Sequence, residues 1–393
     1  MNIVLVLTTG EGGIPHYTAE LANSLQERGN TVTVIKPQET TGDEFFNSDI
    51  NLKNWFTNPN VSFANIAELK VSPSELYKAC TSLRKLSELD QLDPDVVHFT
   101  HKPHSYLWPF IPTIDTNAPI IETRHNTENN NLLKIPGRDL PIREDPKIIA
   151  AMNFDSVLRN IFTGVQADGY IAHTESNTRD LLEKYPDCSV EKIPHGAFTI
   201  FAPDSDPRAG SSDTTSDNTL LFFGNITGSK GPDQLVRATV KASNEIDNIK
   251  TIIAGSGNIP RRTMNTIEDN RSLFEVINEF IPNKKVPELF DEADIVVIPH
   301  KEQRGHSGTM TIAFSHGKPV ISTNVGEFNK LVLKTGAGYT VEPGDIEGMK
   351  DSICALLSDP VLRQTMGNNS REVAEELSWT QVAQKTEQFY RHC

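Results

Sequence analysis

Three loops of the 393-residue chain combine glycine with groups able to hold an anion, and each precedes a helix-like stretch. In Gly10-Glu11-Gly12-Gly13-Ile14-Pro15 the glycines allow a ligand close to the backbone, where free amides gather at a helix start. A dinucleotide site needs GxGxxG and an acid closing the next strand. Here Pro15 replaces the third glycine and Lys36 follows Ile35, so the stretch does not fit NAD. A plain strand-to-helix turn uses the same residues, and the sequence leaves both readings open. The second loop, Phe223-Gly224-Asn225-Ile226-Thr227-Gly228-Ser229-Lys230-Gly231, sets a lysine among small residues. Gly231 stands where a Walker loop needs Ser or Thr. Lys230 can still hold a phosphate as a point charge, a contact of ~1.5–3 kcal/mol. A single loop lysine is more often simply solvated.

The third loop runs from Pro299-His300-Lys301-Glu302 through Gln303-Arg304 to Gly305-His306-Ser307-Gly308-Thr309. A serine nucleophile elbow needs GxSxG, and position 309 is Thr, so a hydrolase of that type does not fit. The amides of Ser307 to Thr309 instead open a helix whose positive end suits a phosphate. Histidines gather near strand ends: His98, His101, His104, His125, His173, His195, His300 and His306. His98, His101 and His104 have no acidic or cysteine partners at ligand spacing, so no metal set is read. Most of these rings are expected as hydrogen-bonded core or loop histidines. His125, just past the strand of Glu122-Thr123-Arg124, is the one placed to enter a cleft.

These loops need strands and helices to hold them. Ile3 to Leu7 is a continuous apolar run, as in a parallel strand covered on both faces. A helix starts near Pro15 and stops at Gly29, and Thr31 to Ile35 is the next strand. Further strands are expected at 96–99, 120–123, 169–172 and 190–193. A helix runs from an N-cap at Ser72 to Leu89. Residues 203–218 hold almost nothing a core could use and read as a linker. Beyond them the opening pattern repeats: strand 220–223, glycine loop, a helix opened by Pro232, and strand 251–254. Short strands follow around 274–281, 295–299 and 320–323. The expected fold class is α/β, with two Rossmann-like doubly wound parallel-sheet domains facing across a cleft. The boundaries expected are 1–200, a linker over 201–218, and 219–378, with 379–393 as a terminal helix.

Composition narrows the function. Thirty-seven basic against 52 acidic residues give a net charge of −15, which argues against nucleic-acid binding. The four cysteines show no CxxC pairing, as in a reduced intracellular chain. No run is long and apolar enough to span a membrane. The 72–89 helix carries Lys78, Arg84 and Lys85 beside leucines, a pattern compatible with an anionic leaflet. Packing of those leucines onto a sheet explains the pattern as well, and the acidic total charge favours it.

Taken in order, these pieces resemble the retaining glycosyltransferases of family 4, which have the two-domain GT-B fold. The resemblance rests on Gly12-Gly13-Ile14, Asp93-Pro94-Asp95-Val96-Val97-His98, His173-Thr174-Glu175-Ser176-Asn177 and Ile193-Pro194-His195-Gly196. It continues through Phe223-Gly224-Asn225 with Lys230-Gly231, Ala254-Gly255-Ser256-Gly257, Ala293 to Pro299, and Gly317-Lys318-Pro319 to Glu327.

The resemblance implies transfer of a sugar from a nucleotide diphosphate sugar, a UDP- or GDP-sugar, with no metal or other cofactor required. It implies a catalytic pair of His125, contacting the transferred sugar, and Lys230, neutralising the leaving diphosphate. Donor-binding positions would be Gly12, Gly13, Gly224, Asn225, Gly255, Glu302, Ser307, Gly308 and Thr309. The acceptor, held by the N-terminal half, would be a glycan, a lipid-linked sugar or a small molecule. The location would be cytoplasmic, with peripheral contact at the inner membrane face left open. The last helix would cross back to the N-terminal domain.

Two departures stand out. Asn225 and Thr227 occupy the positions of a family arginine, and Met310 occupies that of a second glutamate after Glu302. Arg261 and Arg304 are the candidates to restore the charge. Two other functions fit the same fold: a nucleotide-sugar epimerase or hydrolase, and a binding subunit without turnover. The first needs paired carboxylates that the third loop lacks.

Overall fold

In the computed structural model of the chain, residues 1–57, 72–103, 105–112, 114–126, 165–202, 218–302 and 305–393 are described. Two compact units are present. The described residues of 1–126, 165–195 and 379–393 form one, and those of 196–378 the other. The segment 128–145, the linker residues 203–217, His104 and Arg304 fall outside the described residues.

The first unit alternates strands and helices: β1 (Asn2–Val6), α1 (Gly13–Glu27), β2 (Thr31–Pro37), β3 (Asn51–Phe56), α2 (Pro73–Ser82), β4 (Val96–Phe99), β5 (Ile120–Arg124), β6 (Gly169–Ala172), α3 (Glu175–Lys184) and β7 (Ser189–Lys192). The seven strands are parallel in the order β3-β2-β1-β4-β5-β6-β7. Both faces are covered, which is why β1 is apolar and buried from Ile3 to Val6. Ile3 and Leu5 pack under α1, while Val4 and Val6 join Leu83, Leu86 and Leu89 on the other face.

The second unit contains β8 (Asn218–Phe223), α4 (Pro232–Ala242), β9 (Ile249–Ala254), α5 (Arg261–Asp269), β10 (Phe274–Ile277), α6 (Val286–Glu292), β11 (Ile295–Ile298), α7 (Gly308–Ser315), β12 (Val320–Thr323), α8 (Phe328–Thr335), β13 (Gly338–Val341), α9 (Ile346–Ser358) and α10 (Pro360–Glu376). Its six strands are parallel in the order β10-β9-β8-β11-β12-β13. The chain then returns to the first unit as α11 (Trp379–Tyr390). Trp379, Val382 and Phe389 enter the core beside Leu21 and Leu25 of α1, and Arg28 Nε meets Glu387 Oε2 at 2.8 Å.

Three sequence expectations change. The helix expected over 72–89 is α-helical only to Ser82 and continues as a 3₁₀ helix over Leu83–Leu92. Leu83, Leu86 and Leu89 recur every third residue, which aligns them on one face at three residues per turn. They are buried, while Lys78, Arg84 and Lys85 are exposed. The expected N-cap does hold: Glu75 N–H donates to Ser72 Oγ at 3.2 Å and Ser72 N–H to the Glu75 carboxylate at 2.9 Å. The strand expected over 274–281 stops at Ile277. Edge strands β3 and β13 are additional; the half-polar NLKNWF and the four-residue GYTV carry little alternation to read.

Candidate functional site

Strand order reverses between β1 and β4 in one sheet and between β8 and β11 in the other. Ligands of open α/β sheets bind at the carboxyl ends of such strands. In the second unit three loops interlock there. Lys301 N–H donates to Ser229 O at 2.8 Å, Thr309 Oγ1 donates to Phe223 O at 3.1 Å, and Gly224 N–H donates to Ala254 O at 2.9 Å. Gly255 N–H donates to Ile277 O at 2.9 Å. Gly231 adopts φ 67 as the N-cap of α4, and a Cβ there would lie 1.9 Å from Pro299 O, so no other residue fits.

Within this frame Lys230 is half-buried, and burial pushes its ammonium down to about 8. A partly desolvated cation gains from an anion that replaces its lost solvent. Ser307 caps α7, taking the Met310 N–H at 3.4 Å, and Gly308 packs against the Phe198 ring. Asn225 and Glu302 are exposed at the rim of these loops.

In the first unit the loop after β1 is open. Gly12 holds φ 78 as the N-cap of α1, is exposed, and has nothing within 4 Å of where a Cβ would be; Gly13 is exposed beside it. The histidines surround Tyr17 of α1, whose ring lies 4.8 Å from His125, 5.5 Å from His173 and 5.2 Å from His195. His125 Nε2 faces Thr100 O at 2.9 Å, and its Nδ1 faces His173 Nε2 at 3.2 Å. His173 Nδ1 in turn faces Ile193 O at 2.8 Å. Each carbonyl takes an N–H, so with both rings neutral no proton remains for the nitrogen pair between them. Burial pushes His125 down to about 4, and burial with the neighbouring imidazoles holds His173 well below the usual histidine range. His125 is therefore a neutral imidazole near pH 7. His98 is a core histidine bonded to Tyr390 at 2.5 Å and Thr123 at 2.7 Å, and His101 meets the Thr8 hydroxyl at 3.1 Å.

The family model for Glycosyltransferase Family 4 matches residues 11–199, and that for glycosyl transferases group 1 matches residues 217–359. The chain belongs to glycosyltransferase family 4. Among curated relatives, the D-inositol 3-phosphate glycosyltransferase of Kribbella flavida is 24% identical over 98% of this chain and 91% of its own. The enzyme of that name from Corynebacterium aurimucosum is 26% identical over 57% of this chain and 56% of its own, so that alignment spans little more than half the relative. Among solved structures, sucrose-phosphate synthase from Thermosynechococcus elongatus superposes with TM-score 0.69 at 17% identity, covering 100% of this chain and 99% of that one. Anabaena HepE in complex with UDP gives TM-score 0.64 at 14% identity and full coverage of both. These likenesses show the GT-B fold.

In this family 4 glycosyltransferase the structure makes concrete the departure expected from the sequence at position 310. Met310, at the position of the second glutamate, is 1% exposed and belongs to the core of α7. Sequence reasoning missed Gln234, a buried residue of α4 that ties two loops together. Its Nε2 donates to Pro299 O at 2.7 Å, and Gly344 N–H donates to its Oε1. Nothing in a lone helical glutamine signals that role. Arg261, a candidate for the lost positive charge, opens α5 and is exposed. Among the described residues no helix is long and apolar enough to cross a membrane.

Proposed function

We propose that this glycosyltransferase moves a sugar, with retention, from a UDP- or GDP-sugar to a glycan, glycolipid or small-molecule acceptor in the cytoplasm, with no metal required. The observation carrying the proposal is Lys230: a half-buried cation, depressed to about 8, in interlocked loops at the carboxyl ends of β8 and β11. There it would neutralise the diphosphate as it leaves. Gly224, Asn225, Gly255, Glu302 and the Ser307–Thr309 turn would complete the donor site, and the sequence resemblance adds Gly12 and Gly13 as proposed donor contacts. His125, a neutral ring fixed by its hydrogen bond to Thr100 O, would contact the transferred sugar. The UDP bound by HepE supports UDP as the first donor to test, and the relatives' name supports a phosphorylated polyol as the first acceptor.

Thermal denaturation of the purified protein with UDP, GDP, ADP and TDP tests the donor site. One nucleotide at 100 times its dissociation constant adds ~2.7 kcal/mol. Absence of any shift overturns the assignment. A second reading, a binding subunit without turnover, draws on the burial of Met310 where a ribose-binding glutamate would stand. Stabilisation by UDP with no UDP release from UDP-sugars would favour it.

A further inference from the structure

Lys36, on β2, has its side chain only 2% exposed. A buried ammonium is costly unless its three N–H groups are satisfied. Here Nζ donates to Pro37 O at 3.0 Å and Gln38 O at 3.4 Å, and pairs with Asp43 Oδ1 at 2.9 Å. Asp43 in turn takes the Thr40 N–H at 3.1 Å and the Thr40 hydroxyl. The turn held in this way grips the glycine loop. Thr41 N–H donates to Gly10 O at 2.9 Å, and Thr41 Oγ1 donates to Gly12 O at 3.3 Å. His16, one residue beyond Pro15, meets Thr41 O at 3.0 Å. Gly42 approaches Pro15 so closely that a Cβ would lie 2.7 Å from its carbonyl oxygen.

We propose that Lys36 is a positioning residue for Gly10–Gly13, acting through Asp43 and the 40–42 turn; its catalytic consequence rests on reading that loop as a donor contact. The exposed loop has a left-handed residue at Gly12 and no side-chain cap, so an external clamp sets where its backbone stands. The ion pair fixes the turn, and the turn fixes the loop. Thr41 is the hinge of the connection, bonding one segment through both its backbone and its hydroxyl.

Lys36→Met keeps the length of the stem and removes the charge. In the full-length protein, hydrogen exchange at the Thr41 amide, which donates to Gly10 O, should quicken about tenfold, while α1 amides around Leu21 stay protected. UDP-glucose turnover should fall tenfold or more with UDP affinity unchanged. Asp43→Asn should act in the same direction, and the double variant should be no worse than Lys36→Met alone, because both break one connection. Should Lys36→Met fail to fold, Asp43→Asn and Gly42→Ala carry the test; alanine suits φ −98 at Gly42 but forces the turn off Pro15. Unchanged exchange at the Thr41 amide in these variants, or a uniform rise through β1 and α1, overturns the proposal. A wild type that turns over no nucleotide sugar defeats the functional reading, and the exchange measurement still decides the clamp.

Discussion

The loops after β1 and β8 occupy equivalent places in their sheets, both contain glycines before a helix, and they use those glycines oppositely. Gly12 is exposed, with empty space where a Cβ would be, and its positive φ is what excludes other residues. Gly231 also has positive φ, but the pressing constraint is Pro299 O, 1.9 Å from the missing Cβ. One loop keeps a bare backbone surface and is held from outside by the 40–43 turn. The other is fastened directly to its neighbours and carries the depressed cation. A glycine in such a motif therefore marks either an open approach or a close contact, and only the packing tells which.

The contrast can be broken at four points. Gly231→Ala should have the largest effect, roughly 3 kcal/mol or more of stability, because a backbone clash adds to left-handed strain. Chemical denaturation would measure it, and a loss under 1 kcal/mol would show that the two loops can part cheaply. Lys230→Ala should leave the fold intact and cut turnover about 10²-fold, the loss of leaving-group stabilisation. An unchanged rate would remove Lys230 from the site.

The pH dependence sharpens the same point. With the ammonium depressed to about 8, the charged form prevails below that pH and is lost above it. UDP affinity should hold from pH 6 to 7 and fall up to about tenfold by pH 9, with proton uptake on binding near pH 8. Calorimetry in buffers of different ionisation enthalpy would detect the uptake, and a flat profile would mean that Lys230 does not face the diphosphate. Gly12→Ala should cost least, about 1 kcal/mol from strain alone, since nothing stands in the way of the methyl group. A loss as large as that of Gly231→Ala would erase the distinction between the loops.

Much of the fold was legible because buried parallel strands are dominated by apolar residues: 3–7, 96–99 and 295–298 announced themselves by composition, His98 apart. Edge strands β3 and β13 did not, since an edge needs only one buried side and tolerates Asn, Lys and Thr. The leucines at 83, 86 and 89 suit a helix of either kind from sequence, and their three-residue spacing is the period of the 3₁₀ turn that the structure adopts. In the site, Lys230 and the glycines could be named from motif order. Gln234 and Lys36 could not, because a glutamine or lysine acquires a structural role only from the carbonyls that surround it.

The sequence by itself determined the architecture of two parallel-sheet units, the loops that follow their inner strands, and the family to which the chain belongs. Each of these is local, written in apolar runs, helix starts and glycine positions within a few residues of one another. Tertiary structure alone decided the rest. It took Met310 out of the loop surface into the core, buried Lys230 enough to depress it, and set His125 against His173. It also gave Lys36 three oxygens and so made a buried charge tolerable. Desolvation and hydrogen bonding depend on segments far apart in the chain, and no spacing rule records which of them will meet.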